Sequence, residues 1–392
     1  MLKINFSYFL YLIFILSFAS CSNDEEEGIP EPKDTINPTI TCVEPINVIV
    51  NIGTTETRIT YSTPVGKDNL PGAITEQTSG LASGSLFPIG TTTNTFIVTD
   101  AAGNTVSCSF DVTVATPSED KPFSLENGVG IPTGKKWTKV ENLSDEFNNG
   151  TFDDSKWHRD PATDGFGWIG RPPGLFEADN VSVSDGNLNV TTLKYQTPKV
   201  VNGKNFTHGG AIIRSKNSGG VGNYYECRMK ANKTVMSSTF WLAFKENCPR
   251  KLELDIQECV GRVHSGTDTW ANNFDNIYHS NIFLHKRTCN GVTNEEKRSQ
   301  KGVTLTEKNY SRYFVYGCWW KSETEILFYL DGEYSFTLTP PTNYDIEGFI
   351  TMAIETYDWN PIDPNSNLFE TGSFDDLSTK YDWVRTWKLE DK

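Results

Sequence analysis

From Pro38 to Ala115 apolar and polar residues alternate in short runs such as Asn47-Val48-Ile49-Val50 and Thr95-Phe96-Ile97-Val98, separated by Gly, Pro and Asn. Alternation with a period of two puts successive side chains on opposite faces, so these runs read as half-buried strands of a small, immunoglobulin-like β-sandwich. Past Pro122 the pattern continues over roughly 270 residues, enough for one large sandwich with its own core. The run Glu325-Ile326-Leu327-Phe328-Tyr329-Leu330, ended by Asp331-Gly332, reads as a hairpin, as do Asn180–Val183 and Asn187–Val190 around Asp185-Gly186. Asp-Gly suits such turns because it tolerates the positive φ that a tight hairpin demands. No long stretch has a helical period. The expected fold class is therefore all-β, a small sandwich followed by a large double sheet with few helices.

The N-terminus breaks this pattern. Lys3, an apolar run from Phe9 to Phe18, and Ala19-Ser20-Cys21 read as a secretory signal, too short for a comfortable membrane span. Small residues directly before a Cys resemble a bacterial lipoprotein signal, with Cys21 as the lipidated residue; Phe18, where that pattern prefers Leu, departs from it. Ser22-Asn23-Asp24-Glu25-Glu26-Glu27 resembles the acidic export tag of surface lipoproteins. The expected organisation is a signal peptide over 1–20, an acidic tether over 21–36, the small module over 37–115, a linker over 116–123 and the large domain over 124–392. The expected location is the cell surface, with the outer membrane reached through a lipid anchor.

Within the large domain one strand carries chemistry. Residues 252–259 read Leu-Glu-Leu-Asp-Ile-Gln-Glu-Cys. Charged side chains are rarely buried without partners, so three acids in one apolar strand line a cleft or wreck the strand. Glu253 and Asp255 share one face by parity; Glu258 joins them only if one extra residue is inserted as a β-bulge near Ile256 and Gln257. The Cα atoms of Glu253 and Glu258 then lie roughly 13 Å apart, and their side chains can close to about 5 Å, the carboxyl separation of a retaining glycosidase. Asp255 between them would hydrogen-bond a nucleophilic Glu, and its charge would help keep Glu258 protonated. In a chain with 50 Asp and Glu, acids at this spacing arise by chance about once. The apolar run around them, preceded by Ser238-Thr239-Phe240-Trp241, is what favours a site.

Composition narrows the partners. A net charge of −15 argues against nucleic acid and anionic membrane surfaces, and makes a strongly sulfated substrate less natural unless basic pockets are built locally. In an exported chain disulfides are permitted, and Cys42 and Cys108, which bracket the small module, are the expected pair. Cys227, Cys248, Cys259, Cys289 and Cys318 are odd in number, so at least one is expected free. Scattered His and the absence of metal-ligand Cys spacing argue against a zinc site.

Two resemblances follow from these residues. Pro38-Thr39-Ile40-Thr41-Cys42, Phe87-Pro88-Ile89-Gly90-Thr91-Thr92 and Val98-Thr99-Asp100 through Asn104-Thr105-Val106-Ser107-Cys108 resemble a hyalin repeat (HYR) module, which implies adhesion or spacing and no catalysis. The region from about Pro122 onward resembles glycoside hydrolase family 16. Glu253, Asp255 and Glu258 match its Glu-x-Asp-x-x-Glu signature, with further matches at Asp145-Glu146-Phe147, Tyr329-Leu330-Asp331-Gly332 and Tyr381-Asp382-Trp383-Val384-Arg385. That resemblance implies a jelly-roll sandwich and a retaining endo-hydrolase in which Glu253 is nucleophile, Glu258 acid/base and Asp255 their assistant. It requires no cofactor and leaves room for a structural calcium.

Gly167-Trp168-Ile169-Gly170-Arg171-Pro172-Pro173-Gly174-Leu175-Phe176, His279-Ser280-Asn281 and Glu355-Thr356-Tyr357-Asp358-Trp359 resemble the agar-degrading branch, the β-agarases and β-porphyranases. The leading expectation is a monomeric β-agarase cleaving β-1,4 bonds in a red-algal galactan, agarose, which carries no sulfate. The alternatives are a porphyranase with a sulfate pocket built by Arg171 or His208, and a glycan-binding surface lipoprotein without activity. Apolar sugar faces favour aromatic platforms, making Trp168, Trp241 and Trp359 candidate stacking residues. The resemblance raises Arg171, His279, Asn281 and Glu355 as hydrogen-bonding candidates.

Overall fold

The computed structural model describes residues 33–50, 54–116, 121–123, 131–290 and 292–392. The signal, Cys21, most of the tether and part of the linker lie outside the described residues. The chain splits into two compact units. One takes in Thr60–Gly84 and Thr93–Asp111. The other takes in Val112–Lys392 together with Ile46–Ile59 and Ser85–Thr92.

In the first unit, strand Ile74–Ser79 pairs antiparallel with Gly90–Thr99. Phe96, Val98 and Phe110 are buried in it, and a disulfide joins Cys42 to Cys108 across 66 residues. Among the described residues one group of three acids has oxygens close together, Asp34, Asp68 and Asp100. Asp100 is already engaged by the N–H groups of Ala102 and Asn104. Among the described residues of the sandwich no such group occurs, and no residue there is assigned to the calcium that the family resemblance leaves room for.

The second unit is built on two large sheets. The first has the strand order Leu193–Val201, Lys204–Ser215, Gly348–Ile354, Ser237–Phe244, Arg250–Val260, Ile277–Arg287, Thr293–Thr304. The second runs Val181–Ser184, Asn187–Thr191, Ser378–Asp391, Asn223–Lys230, Phe314–Ser322, Glu325–Leu330, Glu333–Leu338. Both expected hairpins are present, with Asp185 and Asp331 at φ of 51° and 50°, each followed by Gly at positive φ. Leu254, Ile256, Phe240, Leu242 and Met352 of the first sheet share one buried cluster with Cys227, Met229, Tyr316, Trp320 and Val384 of the second. Trp319 and Trp320, on opposite faces of one strand, both go to packing: Trp320 joins this core and Trp319 a second cluster with Trp137 and Tyr224. With one sheet face committed to the core, the other is free to carry a polar site.

Cys248 and Cys289 form a disulfide, and Cys227, Cys259 and Cys318 are buried free thiols. Burial pushes the pKa of each thiol upward, which keeps all three in the unreactive thiol form.

Candidate active site

Strand Arg250–Val260 lies between Ser237–Phe244 and Ile277–Arg287, antiparallel to both. Glu253 faces Ala243 and Asp255 faces Trp241, but Gln257 faces Phe240, so Ile256 has no partner on that side. This is a one-residue bulge. Ile256 turns into the core, the parity resets, and Glu258 comes round to the face of Glu253 and Asp255. On the other side the regular register ends at Asp255 and Asn281. The Gln257 side chain takes over the lost ladder, donating to Ile277 O at 3.0 Å and accepting from His279 N–H at 3.0 Å. Ser280 Oγ donates to Ile256 O at 2.7 Å. The bulge is thereby braced from the neighbouring strand with its polar groups satisfied.

The acids open into a cleft of about 600 Å³. Its walls include Phe166, Trp168, Arg171, Trp241, Glu355 and Tyr357, and at another part Lys245, Glu246, Lys251 and Arg287. Four carboxyls from two strand systems, Glu253, Asp255, Glu258 and Glu355, share this space, and the electrostatics sort them. Burial pushes Asp255 well above the usual carboxylate range, and the charges of Glu253 and Glu258 push it further. Burial likewise raises Glu355, to about 8, although Arg171 opposes the shift with a guanidinium nitrogen 3.3 Å from Oε2. Glu258 goes the other way. Burial would raise it, but hydrogen bonds with His279 and Tyr357 and the charges of His279 and Arg171 outweigh burial and hold it below its ordinary value. Asn281 Nδ2 donates to Glu258 Oε2 at 2.9 Å, and His279 Nδ1 stands 3.4 Å from the same oxygen.

This distribution corrects one expectation. Asp255 was expected to be the charged residue that keeps Glu258 protonated; in the free site the proton is favoured on Asp255 and Glu355 instead. The reason is geometric, since cationic and hydrogen-bond donors gather at Glu258 while Asp255 sits between two like charges.

Comparison with known proteins decides the family. A family model described as the GH16 domain of β-porphyranases A–D matches residues 137–389. The chain belongs to glycoside hydrolase family 16. Residues 33–114 match the HYR domain. β-Porphyranase B of Zobellia galactanivorans is 45% identical over 263 residues, covering 66% of this chain and 86% of that protein. β-Porphyranase B of Phocaeicola plebeius is 34% identical, covering 70% of this chain and 93% of that protein. The crystal structure of porphyranase B from Z. galactanivorans superposes with a TM-score of 0.63 at 42% identity, covering 69% of this chain and all of that one. β-Agarase AgaB34 of Agarivorans albus is more distant, 28% identical over 66% of this chain and 58% of that protein.

In this family 16 chain the expected site residues fall into three groups. Trp168, Arg171, Trp241 and Glu355 line the cleft beside Glu253, Asp255 and Glu258. His279 and Asn281 contact Glu258, so what they bind in the free site is a carboxyl and not open space. Trp359 is not in the cleft wall. It stacks on the wall residue Tyr357, with ring centroids 4.6 Å apart. His208, proposed for a sulfate pocket, is also away from the cleft. It is buried against Phe369, and burial lowers its pKa to about 4, so it stays neutral.

Tyr357, Phe166, Arg214, Lys245, Lys251 and Arg287 were not singled out from the sequence. Tyr357 lies in the segment Glu355-Thr356-Tyr357-Asp358-Trp359, where its neighbour Glu355 is the signal that could have found it. The basic residues come from separate elements and have no shared sequence pattern.

The high pKa of Glu355 has a consequence for stability. The native state keeps this proton between about pH 4.5 and pH 8, where the unfolded chain has lost it, so stability falls as pH rises through that window. Glu355→Gln removes this dependence. Its melting temperature relative to the unaltered protein is expected to rise between pH 5 and pH 8 in parallel thermal scans; a difference independent of pH would contradict the assignment.

Proposed function

We propose that this chain is a retaining endo-hydrolase of a red-algal galactan, with sulfated porphyran preferred over agarose. The observation that carries the chemistry is the bulge at Ile256, which brings three acids of one strand to a cleft. Glu253 attacks the anomeric carbon and forms a glycosyl-enzyme. Glu258 protonates the departing oxygen and then takes the proton of the incoming water. Asp255 lies between them and shares the proton load of the cluster. Because Glu258 lies below its ordinary value in the free site, substrate must displace some of the polar contacts around it, so that it takes up a proton from solvent or from the neighbouring carboxyls before the first step.

The sugar preference rests on the cations. Lys245, Lys251 and Arg287 line the cleft beside Glu246 and Glu253, three cations to two acids, with Lys251 3.8 Å from Glu253. Arg287 pairs with Glu246 at 3.4 Å, yet its buried Nε has no hydrogen-bond partner among the described residues. The Arg287 side chain is 24% exposed in the cleft wall, and its guanidinium would pair with a sulfate ester that reaches that part. The relatives named β-porphyranase support the same reading.

The test is product analysis on both polysaccharides. Porphyran is expected to release oligosaccharides of several lengths early in the reaction, and agarose few. Arg287→Ala is expected to lower kcat/KM on porphyran by about tenfold, one charged hydrogen bond's worth, with little change on agarose. Faster release from agarose than from porphyran would overturn the preference, and no reducing ends from either would overturn the whole reading.

A further inference from the structure

Trp270 stands out among the tryptophans. Trp157, Trp320, Trp383 and Trp387 are fully buried, whereas Trp270 is 58% exposed. It is nevertheless held in place. It sits in the short 3-10 turn Thr269–Ala271, and its Nε1–H donates to Asp268 Oδ2 at 3.1 Å. Asp268 N–H in turn donates to Trp359 O at 3.0 Å. Phe274 meets the indole edge-on at 5.4 Å and Trp359 meets it at 5.1 Å. Trp270 thus presents a solvated aromatic surface whose orientation is set by its neighbours.

Its neighbours say where that partner comes from. Trp359 stacks on Tyr357, with planes only 19° apart, and Tyr357 lines the cleft and hydrogen-bonds Glu258. Tyr357, Trp359 and Trp270 thus form a continuous aromatic row that begins at Glu258 and ends in solvent. The opposite flank of the acids is cationic, with Lys251 3.8 Å from Glu253 and Arg287 beyond it. A neutral pyranose face, apolar on its C–H side, fits the aromatic row, and the rigid mounting of Trp270 means little ordering entropy is lost on contact.

We propose that Trp270 is an outlying stacking platform for the galactan chain, beyond the cleft at its Glu258 end, with Trp359 as its buttress and not a contact residue. The inference rests on the galactan reading above. It makes Trp270 a determinant of chain-length preference: long substrates reach it and short ones bound at the acids do not.

The experiment uses the full chain carrying Glu253→Gln, so that binding is read without turnover. Porphyran- and agarose-derived tetrasaccharides and octasaccharides are titrated by calorimetry. Adding Trp270→Ala is expected to weaken octasaccharide binding by about five- to tenfold, the scale of one aromatic stacking contact, and to leave tetrasaccharide binding unchanged. Trp270→Phe, which keeps a ring, is expected to recover part of the loss. Equal octasaccharide affinity with and without Trp270, or equal losses at both lengths, overturns the proposal. So does failure of every oligosaccharide to bind the Glu253→Gln chain. Hydrolysis of porphyran or agarose by the unaltered chain tests the functional reading separately, so the two can fail independently.

Discussion

Glu253→Gln is expected to lower kcat on polysaccharide by about 10⁴-fold or more, the scale seen when a covalent nucleophile is removed. The substitution keeps the side chain's shape and leaves the bulge bracing from Gln257 and Ser280 untouched, so the fold should not change. Glu258→Gln is the informative companion. It removes the general acid, a loss of about 10²–10⁴ on the natural leaving group. With an aryl glycoside whose leaving group needs no proton, the first step survives while the second lacks its base. A glycosyl-enzyme should then accumulate and be visible by intact-protein mass spectrometry. The Glu253→Gln chain should form no such adduct. An adduct on Glu253→Gln, or full activity in it, would reverse the assignment of roles.

Asp164→Ala is expected to destabilise the sandwich by about 3–5 kcal/mol, the cost of leaving a buried charge without its partner. Asp164 and Arg214 form an ion pair with both side chains 2% exposed. Burial lowers the Arg214 pKa to about 10, still far above neutral, so the guanidinium stays charged when Asp164 is gone. Asp164 does more than neutralise it. Its Oδ1 accepts from Phe166 N–H at 2.8 Å and Gly167 N–H at 3.3 Å, and the Phe166 ring lies 4.2 Å from the guanidinium carbon. Gly165, Phe166 and Arg214 all line the cleft, so the pair also shapes the wall beside the catalytic acids. Thermal unfolding should show a drop of roughly 10 °C. Adding Arg214→Met should recover much of it, because the orphaned charge leaves with the arginine. A drop below about 2 °C, or no recovery in the double variant, would show that the pair does not carry this energy.

The two predictions differ in how visible their residues were in the sequence. Glu253, Asp255 and Glu258 lie within six positions of one another, and the need for a bulge near Ile256 follows from parity alone. Asp164 and Arg214 are 50 residues apart in chain order. Nothing local to either announces the other, and an isolated Arg in an apolar stretch reads as an exposed side chain. The same separation hid the cationic part of the cleft, where Lys245, Lys251 and Arg287 meet only because three strands lie side by side. It also hid the Cys248–Cys289 disulfide, which the count of cysteines allowed without choosing. Trp359 shows the converse. Its segment marked it as close to the site, but proximity in sequence could not tell that Tyr357 would line the cleft while Trp359 stacks on Tyr357.

The sequence by itself determined the all-β architecture, the hairpins at Asp185-Gly186 and Asp331-Gly332, and the common face of the three acids. All of these depend on φ preferences and a period of two, which act over a few neighbouring residues. The tertiary structure decided which acid holds the proton, which cations share the cleft and which aromatics reach solvent. Those properties depend on distances between side chains of different strands, and both burial and Coulomb interaction take their values only once the sheets have brought distant segments together.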